Sequence, residues 1–212
     1  MQNNQPDFSN AGDFIILQSK PSYMKAVLFN GSPRKQGNTF LMLTAVSEIL
    51  EKEGIETEII QVGGKMFRGC LACYKCYETK NNRCIQDDDL NMYYDKMLHA
   101  DAVIIGSPTY VGDLTPETKA MIDRCCLLNR ANGGPLRRKI GAAVTPVRRA
   151  GSIHVFDSIN HFFLIGEMIV PGSVYWNMSL ARNIGEYHND EEGVKTMTKL
   201  GENIAWLLKK IK

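Results

Sequence analysis

Four cysteines lie close together in the chain, at positions 70, 73, 76 and 84. Two residues separate the first cysteine from the second and two separate the second from the third, whereas seven residues separate the third from the fourth. Sulfurs at C-x-x-C spacing can turn toward one centre, and a fourth cysteine after a polar loop completes its ligand shell. The spacing therefore predicts that Cys70, Cys73, Cys76 and Cys84 bind an iron–sulfur cluster or a zinc ion, with redox-active thiols that bind no metal as the third interpretation.

Charge repulsion narrows these alternatives. Thiolates as close as those of Cys70, Cys73 and Cys76 would repel one another unless a metal neutralised them. Zinc sites usually divide their ligands into two pairs that lie far apart in the sequence, which favours a [4Fe–4S] cluster here. The other two cysteines, Cys125 and Cys126, lie among apolar residues of a predicted helix and are expected to pack in the core.

A second motif follows the first predicted strand, where residues 31–39 read Gly-Ser-Pro-Arg-Lys-Gln-Gly-Asn-Thr. A loop that enters a helix presents backbone N–H groups to an anion, and the helix dipole favours negative charge there. Because Asn-Thr follows the last glycine instead of Lys-Ser or Lys-Thr, the loop differs from a nucleotide P-loop. A monophosphate such as that of FMN is therefore expected, a capped strand-to-helix turn being the alternative. The predicted phosphate-binding residues are Ser32, Arg34, Gly37, Asn38 and Thr39.

Two more polar loops are predicted at the same edge of the sheet. Residues 107–112 follow the third strand, and the backbone amides of Thr109 and Tyr110 are expected to reach the polar edge of a flavin ring while Tyr110 covers its face or simply packs. Residues 145–151 follow the fourth strand, where Gly151 permits close backbone approach. Arg148 and Arg149 in that loop would meet the flavin, a second nucleotide's phosphate or only solvent.

From residue 25 onward, short apolar runs alternate with longer segments of helical period, which is typical of βαβ units on a parallel sheet. The predicted strands span residues 25–30, 56–62, 102–107, 139–144 and a fifth region made of 168–170 and 174–176. The predicted helices span residues 39–53, 88–99, 116–129, 152–164 and 191–212. This pattern predicts an α/β fold, a flavodoxin-like doubly wound five-stranded parallel sheet of order 2-1-3-4-5, with its ligand at the carboxyl ends of the strands.

Composition limits the remaining possibilities. With 212 residues and 44% hydrophobic residues, one domain is expected over residues 24–212, carrying a cysteine-rich insertion at 69–84 and preceded by an extension of residues 1–23. A net charge of +2 argues against nucleic acid as a partner. No apolar run reaches the roughly 20 residues that span a bilayer, and no secretion signal is evident, so reduced cysteines and a cytoplasmic location are expected.

The three loops, together with Thr115–Arg124, resemble the NADPH-dependent FMN reductase branch of flavodoxin-like proteins. The run Gly69–Cys76 with Cys84 resembles the compact cysteine motif of iron–sulfur flavoproteins, which carry FMN and a [4Fe–4S] cluster. The resemblance implies that the cluster passes electrons to FMN and that subunits assemble as a homo-oligomer, dimer or tetramer, with the FMN of one near the cluster of another. It places the flavin at Pro108, Thr109, Tyr110, Val111 and Gly112 of the second loop, and at Thr145, Arg149 and Gly151 of the third.

These observations predict an FMN-dependent oxidoreductase in which the flavin performs the chemistry and no side chain is catalytic. Electrons would pass from a cluster, a ferredoxin or NAD(P)H to a small acceptor such as a quinone or an oxygen species. One alternative is a cluster-free NAD(P)H-dependent FMN or quinone reductase. The non-enzymatic alternative is an electron carrier or a redox sensor that acts on a protein partner.

Overall fold

A computed structural model describes residues 24–212, which form one five-stranded parallel sheet with helices on both faces. The predicted extension of residues 1–23 lies outside the described residues. The strands are β1 (Lys25–Asn30), β2 (Glu56–Gln61), β3 (Ala102–Gly106), β4 (Ile140–Val147) and β5 (Met178–Leu180). The α-helices are α1 (Asn38–Lys52), α2 (Lys75–Thr79), α3 (Leu90–His99), α4 (Pro116–Ala131), α5 (Ser152–Ile165) and α6 (Glu191–Ile211), and a 3₁₀ turn spans Glu186–Asn189.

The strand order is β2-β1-β3-β4-β5 with every pairing parallel, which confirms the predicted flavodoxin-like sheet. Side chains alternate across a strand, so the two faces of β1 enter different cores. Val27 and Phe29 pack with α3, α4 and α5, whereas Ala26 and Leu28 pack with α1 and α6. Burial on both faces explains why the strands read as continuous apolar runs.

The end of α1 and the start of α4 follow the predicted signals. Gly54 takes the left-handed conformation (φ 81°) just beyond α1, and the N–H of Ile55 donates to the carbonyl of Leu50 at 3.0 Å, as in a glycine-terminated helix. Pro116 occupies the first turn of α4, where its missing N–H costs nothing. Within residues 24–212, none of the helices has the length and apolar character that crossing a membrane requires.

The fifth strand differs from the prediction, which placed it at residues 168–170 and 174–176. The chain instead pairs with β4 at two places, through an isolated bridge between Ile169 and Ile140 and through β5 beside the end of β4. Residues 174–176 between them are exposed apolar residues. Apolar composition predicted a buried strand there, but hydrogen bonding places the strand at Met178–Leu180.

Strand β4 is also longer than predicted, because it continues through Pro146 to Val147. The N–H of Thr145 donates to the carbonyl of Asn177 at 3.0 Å, and the carbonyl of Pro146 accepts from the N–H of Thr109 at 3.3 Å. Proline therefore still accepts a hydrogen bond within the sheet edge although it cannot donate one. As a result Thr145 is a strand residue, and the loop after β4 begins at Arg148.

The loop after β1 packs directly against the start of α4. The N–H of Gly31 donates to the carbonyl of Gly106 at 2.7 Å, and the hydroxyl of Thr115 donates to the carbonyl of Gly31 at 2.8 Å. A Cβ added at Gly31 would lie 2.0 Å from Oγ1 of Thr118 and 2.7 Å from the carbonyl oxygen of Gly106. Glycine is therefore required at position 31 by close packing.

Replacing this glycine is expected to destabilise the fold. Gly31→Ala forces the buried loop away from α4, and overpacking of this kind costs about 1–3 kcal/mol, measurable as a lower free energy of unfolding in urea. Gly172→Ala is the matched control, because an added Cβ there has nothing within 4 Å, and its effect should stay within about 1 kcal/mol. Equal stability of the two variants would contradict the close packing of Gly31.

Candidate functional site

Polar side chains at the ends of β1 and β2 shape the loop after β1. Asn30 donates from Nδ2 to Oε1 of Gln61 at 2.8 Å and accepts at Oδ1 from the N–H of Ser32 at 3.1 Å. Gln61 in turn donates from Nε2 to the carbonyl of Ser32 at 2.6 Å. These bonds fix the start of the loop from the strand side. Neither Asn30 nor Gln61 was predicted to act here, although a polar residue ending an apolar strand is a signal of such a role.

A cavity opens at the carboxyl edge of the sheet, between the loops that follow β1, β3, β4 and β5. Eight of the predicted residues line it, namely Ser32, Arg34, Gly37, Asn38, Thr39, Pro108, Thr109 and Tyr110. Arg148 lines it as well, together with three residues that were not predicted, Pro146, Ala181 and Arg182. The fold thus brings the predicted phosphate loop and part of the predicted ring loop into one cavity, here called the edge cavity.

The start of α1 fits a phosphate group. No side chain among residues 24–212 caps this helix, which leaves the N–H groups of its first turn available to an anion. Thr39 is 1% exposed, and its Oγ1 has no hydrogen-bond partner among the described residues. Arg34 lines the same cavity and supplies positive charge. Free N–H groups, an unpaired hydroxyl and a guanidinium form the donor set that a phosphate needs.

The side chain of Asn38, which is predicted to contact the phosphate, also makes hydrogen bonds within the protein. Its Nδ2 donates to the carbonyl of Asn183 at 2.8 Å, and its Oδ1 accepts from the N–H groups of Gly185 and Tyr187 at 3.0 and 3.4 Å. These bonds hold the loop after β5 against α1 and so bring Arg182 to the edge cavity. The partners lie about 145 residues away in sequence, which is why local patterns gave no signal of them.

The backbone amides of Thr109 and Tyr110, predicted to reach a flavin ring, are used within the protein. The N–H of Thr109 donates to the carbonyl of Pro146 at 3.3 Å, and the N–H of Tyr110 donates to the carbonyl of Asp113 at 2.7 Å. The first bond ties the loop to β4, and the second closes a tight turn. Thr109 and Tyr110 therefore line the edge cavity with their remaining groups.

Five predicted residues lie outside the lining of the edge cavity. Thr145 is fully buried within β4, whereas Val111 and Arg149 are exposed. Gly112 and Gly151 have φ of 80° and 95°, and a Cβ on Gly151 would lie 2.9 Å from Cα of Gly112. The second and third loops therefore touch at these two glycines. Contact of the five residues with a bound flavin stays a prediction.

The four cysteines of the spaced motif line a second cavity, here called the cysteine cavity. It is completed by Leu71, Tyr74, Ile85, Gln86, Arg124, Leu127 and Leu128. Left-handed backbone at Ala72, Tyr74, Lys80 and Asn82 curls this segment, and successive turns of this kind form concave sites for anionic centres. The N–H of Ala72 donates to Sγ of Cys70 at 3.4 Å, a contact that stabilises thiolate charge.

Helix α3 positions the fourth cysteine. Oδ1 of Asn91 accepts from the N–H of Cys84 at 2.7 Å, and Nδ2 of Asn91 donates to the carbonyl of Cys84 at 3.1 Å. Asn91 was not predicted to have this role.

The four thiols do not form a closed metal site in this structure. Burial raises the pKa of Cys76. Among residues 24–212, no group of three or more His, Cys, Asp or Glu converges on a single metal ion, so the cysteines surround a cavity without forming a closed tetrahedral site.

The remaining two cysteines lie outside the cysteine cavity. Cys125 is fully buried in the core, which confirms its predicted packing role, and burial raises its pKa. Cys126 is partly buried against the same core. Both therefore behave as small apolar side chains.

Comparison with known proteins identifies the family. Residues 24–183 match the family model described as NADPH-dependent FMN reductase. The chain belongs to this family. An iron–sulfur flavoprotein of Methanocaldococcus jannaschii is 35% identical over 196 residues, covering 89% of this chain and 100% of that protein. An iron–sulfur flavoprotein of Methanosarcina thermophila is 30% identical over 196 residues, covering 89% and 97%.

A solved structure supports the fold independently of sequence. A flavodoxin, WrbA-like protein from Agrobacterium tumefaciens aligns with a TM-score of 0.60 at 15% identity, covering 90% of this chain and 99% of that one. Membership of the NADPH-dependent FMN reductase family makes the protein a flavin-dependent oxidoreductase. The names of its relatives agree with the resemblance that the cysteine motif indicated.

If the edge cavity binds the phosphate of FMN, Arg34→Ala and Arg182→Ala should each weaken FMN binding and leave riboflavin binding unchanged. A charged hydrogen bond contributes about 1.5 kcal/mol or more, so the Kd for FMN should rise about tenfold. Titration of apoprotein followed by flavin fluorescence measures both affinities. Arg130→Ala is the control, because Arg130 is exposed near the end of α4 and lies outside the cavity lining. Equal weakening for FMN and riboflavin would show that the arginines do not act on the phosphate.

Proposed function

We propose that the protein is an electron-transfer enzyme with two centres, FMN in the edge cavity and a [4Fe–4S] cluster bound by Cys70, Cys73, Cys76 and Cys84. The observation that carries the proposal is that one chain of an FMN reductase family also gathers four cysteines around a separate cavity. The donor is a reduced ferredoxin or NAD(P)H. The acceptor is a small molecule such as a quinone or an oxygen species.

The chain's own residues bind and orient the flavin. When bound, FMN supplies transfer of a hydride or of single electrons. The first turn of α1, Thr39 and Arg34 would hold its phosphate, and the half-exposed ring of Tyr110 would cover a face of the flavin. Among the described residues, those lining the edge cavity include no carboxylate and no histidine. We accordingly assign the chemistry to the flavin itself.

The cysteine cavity suits a cluster better than zinc. A structural zinc ion holds its sulfurs at about 2.3 Å in a closed tetrahedron, whereas these four thiols surround a cavity that is also lined by Ile85, Leu127 and Leu128. Backbone N–H groups stabilise sulfur charge there, as at Ala72. A bound [4Fe–4S] cluster supplies one-electron transfer to and from the flavin.

The two cavities are separate, because no described residue lines both. Exposed apolar side chains lie beside each one, Leu71 and Ile85 at the cysteine cavity and Tyr110 and Val111 at the edge cavity. Groups of exposed apolar residues mark interaction surfaces. We therefore propose a homo-oligomer, dimer or tetramer, in which the cluster of one subunit approaches the FMN of its neighbour.

Arg148 favours a second candidate function, a cluster-free NAD(P)H-dependent FMN or quinone reductase. Its side chain is exposed and lines the edge cavity, where a guanidinium can bind the phosphate of a nicotinamide nucleotide. In this function the flavin would be reduced directly by NAD(P)H. The identity of the efficient electron donor therefore distinguishes the two candidates.

Cys84→Ala should slow reduction of the bound flavin by reduced ferredoxin about tenfold or more, because a cluster without its fourth thiolate is lost or impaired. Anaerobic stopped-flow measurement of flavin absorbance gives the rate, with NADPH as the second donor. Cys126→Ala is the control, because Cys126 lies outside the cysteine cavity. Equal ferredoxin rates in wild-type protein and Cys84→Ala would contradict a cluster route, and rapid NADPH oxidation without iron would support the second candidate.

In solution, light scattering should give a mass that is a multiple of the 23.8 kDa chain. Val111→Asp should shift the protein toward the monomer. The Val111 side chain is fully exposed within its own chain, and an aspartate at this position would place a charge in the proposed interface. Trp206→Asp on α6 is the control, since Trp206 is exposed away from both cavities. A monomeric wild-type protein would overturn the proposed assembly.

A further inference from the structure

Arg124 of α4 is a charged residue that is buried against the cysteine cavity. It is 2% exposed and lines that cavity with all four cysteines of the motif. Arginine is rarely buried unless its charge is paired. Its Nη1 and Nη2 donate to the two carboxylate oxygens of Asp88 at 2.6 and 3.0 Å, and Nη1 also donates to the carbonyl of Arg68 at 3.0 Å. Three hydrogen bonds to Nη1 and Nη2 therefore hold the guanidinium in place.

The third nitrogen of this guanidinium is unsatisfied. Nε of Arg124 is buried and has no hydrogen-bond partner among residues 24–212. A buried charged donor without an acceptor is costly, and the two-pronged bond to Asp88 prevents the group from rotating to find one. Residues 24–212 therefore supply this Nε–H with no acceptor, although Arg124 lines the cysteine cavity together with Cys84.

We propose that Arg124 is a positioning residue of the cluster, which it stabilises through its buried Nε–H and its positive charge, and that Asp88 holds it in place and opposes that charge. The proposal rests on the cluster proposed above. Charge and hydrogen bonds near the sulfurs are the main means by which a protein sets the reduction potential of an iron–sulfur centre. The Arg124–Asp88 pair would therefore set the potential of this cluster.

The sign of each effect follows from charge. Reduction adds one electron and makes the cluster more negative, so a nearby guanidinium stabilises the reduced form and raises the potential. A carboxylate behind that guanidinium has the opposite effect. Exposed cations contribute less because water and salt screen them, and Lys75 is already paired with Glu78 at 2.7 Å. Buried Arg124 should outweigh exposed Arg83, although Arg83 adjoins Cys84 in sequence.

The test is an anaerobic redox titration of the purified full chain, with the cluster followed by electron paramagnetic resonance. Arg124→Met removes the charge and the Nε–H at similar volume, and it should lower the midpoint potential. The ratio of oxidised to reduced cluster at a fixed solution potential should rise about tenfold, which is 59 mV for a one-electron couple. Asp88→Asn leaves the guanidinium charge unopposed and should shift the potential in the other direction.

Opposite shifts are the result that a merely structural role could not give. Arg124→Met and Asp88→Asn break the same ion pair. If that pair only stabilised the fold, both variants would change iron content or stability in the same direction. Arg83→Gln is the charge control and should change the ratio less than about threefold. The flavin potential in the same titrations is the internal reference, because Arg124 does not line the edge cavity.

Iron and sulfide assays on each sample distinguish a failure of the proposed cluster from a failure of the proposed role of Arg124. A wild-type protein without iron would overturn the cluster and this inference together. A cluster that is present with an unchanged potential in Arg124→Met, or with both variants shifted the same way, would overturn the inference alone. If Arg124→Met loses the cluster, Arg124→Lys keeps the charge without the Nε–H, and it should give a smaller downward shift; no shift would overturn the proposal.

Discussion

The close contact between the loop after β1 and the first turn of α4 positions both parts of the site. The carbonyl of Gly31 accepts from the buried hydroxyl of Thr115, which also bonds the hydroxyl of Thr118 at 2.8 Å. One end of α4 is thereby fixed at the phosphate loop. Nine residues further along, about 14 Å at the helical rise, the same helix presents Arg124 to the cysteine cavity. A rigid helix therefore sets the distance between the two cavities of one chain.

The two cavities differ in the charge of their linings. The edge cavity combines an uncapped helix start with the arginines at 34, 148 and 182, which suits an anionic nucleotide-like cofactor. The cysteine cavity is lined mainly by sulfur and apolar groups, and the charge of Arg124 there is paired with Asp88. An anionic centre in that cavity would be stabilised by few but fixed donors. The different linings match what the proposed FMN and the proposed [4Fe–4S] cluster would each need.

Much of this arrangement could be predicted from local sequence. The bounds of β1, the glycine after α1 and the proline that starts α4 each depend on neighbouring residues, so the sequence pattern was sufficient. The spacing of the cysteines likewise predicted that they share one place. These features lie within a few residues of the signals that indicate them.

Features that depend on distant partners could not be predicted in the same way. The amide of Asn38 bonds residues of the loop after β5, and the carboxylate that pairs with Arg124 lies 36 residues away in sequence. Apolar residues 174–176 predicted a strand, but the fold leaves them exposed and pairs Met178–Leu180 with β4. Such outcomes depend on which surfaces the completed sheet covers, and a local sequence pattern does not predict this.

The most direct test of the two-centre account is the cofactor content of anaerobically purified protein, with flavin, iron, sulfide and zinc measured on one sample. The account predicts about one FMN, four irons and four sulfides per chain, with no zinc. Flavin without iron, or zinc in place of iron, would contradict it.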